Sequence, residues 1–115
     1  MKQELKEKIG QAIEAVLPEL LEIAKGLYEN PEIGGAEKQT SKLLVAWLET
    51  HGFRVDRDYW KMPFAFRAVR DSGKPGPVIG FFAEYDALPE IGHGCGHNLI
   101  CTASMGAAYG LASVL

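Results

Sequence analysis

The chain has 115 residues, two cysteines and a net charge of -3 at pH 7, with 47% apolar and 23% charged residues. That length suits one domain with a modest core, and the balance is that of a folded globular protein, not a disordered one. The 12 Lys and Arg gather into no basic stripe, which argues against nucleic-acid binding and for small molecules or other proteins as partners.

The first helix is predicted over residues 2–28, where Leu5, Ile9, Ile13, Val16, Leu17, Leu20, Ile23, Ala24 and Leu27 recur at steps of three and four. Pro18 falls inside that pattern and removes a backbone donor, so a kink or restart is expected there. Asn30-Pro31 ends the helix and Gly34-Gly35 makes a loop. A second helix is predicted over residues 36–50, with Leu43, Leu44, Trp47 and Leu48 on one face and Gly52 as its C-terminal cap.

Residues 53–56 alternate apolar and polar, and residues 64–69 are rich in aromatic and branched side chains, so both read as strands. The turn cluster over residues 71–77 predicts a hairpin between its flanks. Residues 78–83 are continuously apolar apart from Gly80, as in a central strand covered on both faces. Residues 99–115 are rich in Ala, Gly, Ser and Leu, which fits a helix lying close to the sheet. The expected fold is α/β, a mixed sheet with packed helices, and its ligand site falls at the carboxyl end of a buried strand.

The chemistry gathers in residues 81–98, which hold Glu84, Asp86, His93, Cys95, His97 and Asn98 among glycines. Cys95 and His97 flank one glycine, and thiolate and imidazole are ligands that zinc prefers. The same two residues also read as a small buried thiol and a helix-capping imidazole. Asp86 sits where the chain leaves the apolar run. There it either orients a ligating histidine from behind or is an exposed turn residue. Glu84 is a further ligand or a helix-dipole partner, and His93 a third nitrogen ligand or a loop residue bonded to backbone. His51, at a helix C-terminus, is given no functional role.

Two cysteines are too few for a secreted disulfide scaffold, and Cys95 and Cys101 point to metal or thiol chemistry in a reducing compartment. They form no C-x-x-C pair, which counts against a thiol-redox protein. Residues 1–6 lack the apolar core of a signal peptide, and no apolar run reaches the roughly 18 residues of a membrane span. The expected location is cytoplasmic.

The runs Ala83-Glu84-Tyr85-Asp86-Ala87-Leu88-Pro89 and Gly92-His93-Gly94-Cys95-Gly96-His97-Asn98 resemble the metal-dependent amidohydrolase and peptidase family of aminoacylases, carboxypeptidase-G-like enzymes, auxin-conjugate hydrolases and aminobenzoyl-glutamate hydrolases. Asn30-Pro31-Glu32-Ile33-Gly34, with Glu37 and Thr40-Ser41, and Gly52-Phe53-Arg54-Val55 extend the likeness over nearly the whole chain. The resemblance implies a zinc-peptidase-like catalytic domain in which Cys95 and His97 ligate a centre of two zinc or manganese ions and Asp86 supports it. It places Glu84 where relatives carry Asp or, in more distant branches, a ligating His. Asn98 is similar to the aminobenzoyl-glutamate and dipeptidase-like branch.

The implied reaction is hydrolysis of the amide bond of N-acyl or aminoacyl amino acids. In relatives the general-base glutamate and the other ligands lie further along the chain, so residues 1–115 correspond to the amino-terminal part of the catalytic domain, without the rest of that domain or the dimerisation domain. The chain alone is then expected to be inactive. The alternative is an inactive fragment that binds metal weakly or associates with protein, with self-association left open.

Overall fold

The periodic apolar stripe produces one long helix, α1 (Gln3–Glu29), in the computed structural model, which describes residues 2–115. Pro18 does not divide it. The helix runs through that position, because Pro18 lies on the exposed side while Val16, Leu20, Ile23, Ala24 and Leu27 stay buried on one face. The cost of one lost backbone bond is offset by burial of about 1.5–3 kcal/mol per large apolar side chain. α2 (Lys38–Thr50) follows, burying Leu44, Val45, Trp47 and Leu48. Gly52 ends it at a φ of 89°, a left-handed conformation that suits glycine.

The sheet differs from expectation. β1 (Arg54–Arg57) and β2 (Phe66–Val69) form a two-stranded antiparallel hairpin in the register Arg54 to Val69 through Arg57 to Phe66. The segment between them turns tightly through a short 3-10 helix at Tyr59–Lys61, with Asp58 Oδ1 accepting the Phe64 amide at 3.2 Å. The partner of residues 64–69 is therefore the preceding run, not residues 78–83. Residues 71–77 do turn, held by the Asp71 carboxylate on the Gly73 amide at 2.8 Å and the Ser72 hydroxyl on the Lys74 amide at 3.2 Å, but they close no hairpin.

Residues 78–83 are a second correction. They form no strand, and Val78 and Phe82 are 99% and 93% exposed. A strand needs a backbone partner as well as apolar side chains, and this stretch finds none in the ladder among the described residues. Only the Phe82 carbonyl is engaged, by the Ser104 hydroxyl at 2.5 Å. The mixed sheet is accordingly a purely antiparallel pair, and the acidic residues Glu84 and Asp86 follow an open segment without regular secondary structure, not the end of a buried strand.

α3 (His97–Ala112) packs along α1, and together with α2 and the hairpin it encloses a core of Val16, Leu20, Ile23, Leu27, Leu44, Trp47, Leu48, Phe53, Cys101 and Met105. Asn98 pins the start of α3 to α1 by donating its side-chain amide to the Ala24 carbonyl at 3.0 Å. No helix among the described residues is long and apolar enough to cross a membrane.

Tyr85 closes the gap between the site segment and the hairpin loop. Its ring stacks on Phe66 and its hydroxyl donates to the Phe64 carbonyl. Burial, with Glu37 and Cys101 adding to it, pushes the phenol up to about 12. The folded state thus disfavours the phenolate, so the stability Tyr85 contributes is full below its ordinary pKa of 10 and lost as pH rises through about 12. In an alkaline absorbance titration one of the four tyrosines should ionise late, near pH 12, and Tyr85→Phe should remove that late component.

Candidate functional site

The site is built from a loop that two backbone bridges fold back on itself. Leu88 and Gly92 exchange amide-to-carbonyl hydrogen bonds at 2.9 and 3.0 Å, and the Ala87 amide donates to the Glu32 carbonyl at 2.8 Å. The first fixes a tight reversal over residues 88–92, and the second ties the segment to the loop after α1. Gly96 then adopts a φ of 75° and turns the chain into α3, so His97 opens that helix. A Cβ at Gly94 would come within 2.8 Å of Ile91 Cγ2, so the Ile91 side chain would have to shift to admit it.

These turns bring together two residues eleven apart in sequence. His97 Nδ1 lies 2.8 Å from Asp86 Oδ1 and 3.0 Å from the Asp86 backbone carbonyl. Both neighbours are acceptors, so Nδ1 carries the hydrogen and the other ring nitrogen is bare in the neutral imidazole. That nitrogen, Nε2, stands 3.4 Å from Glu84 Oε2. Asp86 and His97 are half-buried and Glu84 is exposed.

Cys95 is a free, exposed thiol, whereas Cys101 is fully buried in the core, where burial pushes its thiol up to about 11. The two cysteines therefore occupy unlike surroundings, one open to solvent beside the loop and one among apolar side chains. Asn98, one residue after His97, faces α1 and serves packing.

His93 is buried at 8% exposure, and neither ring nitrogen has a hydrogen-bond partner. Leaving such a group unpaired costs about 1–3 kcal/mol. Burial, reinforced by the neighbouring His97, pushes its pKa below the ordinary value, while Asp86 pulls the other way. Its imidazole is thus set close to the Asp86–His97 pair but bonded to neither, and the expected backbone bond of a loop histidine is not made.

Glu32 has a role that the motif alone does not disclose. Its carboxylate accepts the Thr40 amide at 2.5 Å and the Gln39 amide at 3.1 Å, satisfying free donors at the start of α2. Burial raises its pKa, but the Thr40 hydroxyl and the two amides outweigh this and hold the carboxyl below its ordinary value. The side chain caps α2 while the Glu32 carbonyl holds Ala87, so one residue couples a helix to the site. An acid six residues before a helix start is the only signal of this in the sequence.

Two donor types are therefore placed for a cation, the His97 imidazole and the Glu84 carboxylate, with the Cys95 thiol exposed two residues before His97. Among the described residues no group of three or more His, Cys, Asp and Glu is arranged to hold a metal ion. The residues present fit part of a coordination sphere, since a catalytic zinc takes three protein ligands.

No family profile matches the chain. It is 37% identical over 123 aligned residues to a p-aminobenzoyl-glutamate hydrolase chain of Escherichia coli (strain K12), a match covering 92% of the chain and 25% of that protein. It is 31% identical over 122 residues to the Xaa-Arg dipeptidase of Homo sapiens, covering 96% of the chain and 28% of the relative. Thermostable carboxypeptidase 2 of Saccharolobus solfataricus is 28% identical over 120 residues, at 92% and 30%. The chain spans 25%, 28% and 30% of the lengths of these three relatives. Over nearly its whole length it is homologous to one segment of the amidohydrolase and peptidase family that these proteins represent.

Proposed function

We propose that this chain forms the amino-terminal part of the catalytic domain of a cytoplasmic, metal-dependent amidohydrolase or peptidase. Its substrates are N-acyl or aminoacyl amino acids of the aminobenzoyl-glutamate or dipeptide kind, the compounds named for its relatives. In this reading His97 Nε2 and Cys95 Sγ hold a divalent cation, zinc or manganese, with Glu84 beside them and Asp86 as the positioning residue behind His97.

The observation that carries the reading is the 3.4 Å between His97 Nε2 and Glu84 Oε2. With the Nδ1 hydrogen given to Asp86, both of these atoms are acceptors, and two acceptors face each other favourably only across a proton or a cation. Nitrogen and oxygen ligands about 2.0–2.2 Å from a tetrahedral zinc stand about 3.3–3.6 Å apart, which includes the observed spacing.

When bound, such a cation lowers the pKa of a coordinated water and polarises the scissile carbonyl. The chain's own contribution is orientation. Asp86 fixes the tautomer and plane of His97 and keeps Nε2 turned towards Glu84. The Glu32 carbonyl holds the stretch of backbone that carries Asp86, so α2 capping and ligand geometry are linked through one residue.

In the full product of the reading frame, loaded with zinc or manganese, His97→Ala should lower kcat/KM for aminobenzoyl-glutamate hydrolysis by more than about 100-fold. Unchanged turnover would overturn the assignment of His97. The incomplete donor set favours a second reading, a weak metal-binding or protein-association module without turnover. Metal binding by a full-frame product that hydrolyses neither aminobenzoyl-glutamate nor dipeptides would select it.

A further inference from the structure

Glu84, Tyr85 and Asp86 are consecutive, yet they serve two different partners. Glu84 Oε2 stands 3.4 Å from His97 Nε2 and Asp86 Oδ1 stands 2.8 Å from His97 Nδ1, so the two carboxylates face the two nitrogens of one imidazole. Tyr85, between them, faces the hairpin. Its ring stacks on Phe66 of β2, with centroids 5.7 Å apart and planes at 17°, and its hydroxyl donates to the Phe64 carbonyl.

Little else fixes this stretch. The Phe82 carbonyl is tied to the Ser104 hydroxyl and the Ala87 amide to the Glu32 carbonyl, but residues 83–86 make no backbone-to-backbone hydrogen bond among the described residues. Among those same residues, the Tyr85 hydroxyl supplies the one hydrogen bond by which the stretch holds to anything but His97. A rotation of this backbone about its own direction that carried Tyr85 off Phe66 would carry both carboxylates off the imidazole.

The anchor itself is built to stay in place. Phe64 holds a φ of 67°, which a residue other than glycine adopts only where its surroundings impose it. Here they do: the Asp58 carboxylate accepts the Phe64 amide at 3.2 Å, the Tyr59 amide donates to the Ala65 carbonyl at 3.1 Å and the Ala65 amide to the Met62 carbonyl at 3.2 Å. A loop bonded to itself thus presents the Phe64 carbonyl to Tyr85.

We propose that Tyr85 is a positioning residue, a clamp on the hairpin that sets Glu84 and Asp86 about His97 and so fixes which imidazole nitrogen carries the hydrogen. The inference rests on the metal-site reading only where it concerns cation affinity, because the tautomer is a property of the metal-free chain. Loss of the Asp86 carboxylate alone leaves the Asp86 carbonyl on Nδ1, whereas loss of the clamp releases both acceptors together.

The test is the tautomer of His97, read by long-range nitrogen–proton NMR of the isotope-labelled, metal-free 115-residue chain at about pH 8, above the ordinary imidazole range. Its signal is the one missing from His97→Ala. Wild type should carry the hydrogen on Nδ1 alone. Tyr85→Phe, which keeps the ring but not the hydroxyl, should admit some of the other form, and Tyr85→Leu, which loses both, should give a mixture of the two. In a chelator competition, zinc should bind about threefold more weakly to Tyr85→Phe and about tenfold more weakly to Tyr85→Leu. Gly110→Ala, which crowds Ile9 and Ile13 of α1 instead, controls for lost stability and should keep the wild-type tautomer and zinc affinity. A pure Nδ1–H form in folded Tyr85→Leu would overturn the proposal, as would the same mixture in Gly110→Ala. If Tyr85→Leu does not fold, Tyr85→Phe decides by the same signal. The two readings fail separately. A tautomer change in a chain that binds no zinc removes the metal site and leaves the clamp, and zinc bound equally by wild type and Tyr85→Leu with the tautomer unchanged removes the clamp and leaves the metal site.

Discussion

Asp86→Ala is expected to weaken zinc or manganese binding by about 10–100-fold, measured by competition against a chelator of known affinity. The carboxylate at 2.8 Å is one of two acceptors on His97 Nδ1, and the Asp86 backbone carbonyl at 3.0 Å is the other. The carbonyl survives the substitution, so the ring should keep its tautomer but lose one of the two acceptors that fix its plane. Asp86→Asn retains an oxygen acceptor without the charge and should fall near the lower end of that range. A still smaller effect of Asp86→Ala, under about threefold, would show that the carbonyl alone positions the imidazole.

Gly110→Ala should destabilise the chain by about 1–3 kcal/mol, whereas Gly106→Ala should stay within about 1 kcal/mol of wild type. Both glycines lie on the face of α3 that meets α1. An added methyl at Gly106 would meet only the tip of Leu20, at 2.9 Å, and a leucine tip can turn aside. At Gly110 it would meet Ile13 Cγ1 at 2.7 Å and Cδ1 at 2.9 Å, with Ile9 Cγ2 at 3.1 Å. Two β-branched side chains with restricted χ1 leave little room to yield. Replacing glycine by alanine inside a helix returns roughly 0.5–1 kcal/mol, which is enough to balance the clash at Gly106 but not at Gly110. Thermal unfolding reads the difference at about 4–8 °C per kcal/mol, and equal midpoints for the two variants would contradict this picture of helix packing.

The helices are legible in the sequence because each announces itself locally. The stripe in α1, the Leu44–Trp47–Leu48 face of α2 and the small-residue run of α3 all follow from spacing within one element. Pro18 signals a break that does not occur, since its cost falls at one exposed turn while the buried face continues on both sides. The hairpin pairing is hidden because apolar content says that side chains favour burial, not which backbone they pair with. Residues 54–57 and 66–69 find each other across the segment that joins them, and residues 78–83 stay unpaired and open.

At the site, an acid placed where the chain leaves an apolar run suggests support for a histidine, and the loop over residues 88–96 is what brings Asp86 to His97. Glu32 and His93 are harder to read. Capping of α2 by Glu32 depends on the path of the loop between them, and the orphaned nitrogens of His93 exist only once the Leu88–Gly92 reversal has buried the ring. Glu32 leaves only its place six residues before α2, and the orphaning of His93 leaves no mark in residue spacing.

The most direct test of the metal centre is zinc-edge X-ray absorption of the chain carrying one equivalent of zinc. One sulfur is expected at about 2.3 Å with nitrogen and oxygen at about 2.0–2.2 Å, the sulfur lost in Cys95→Ser and the imidazole signature lost in His97→Ala. A shell of light atoms alone, unchanged in both variants, would contradict a centre held by Cys95 and His97.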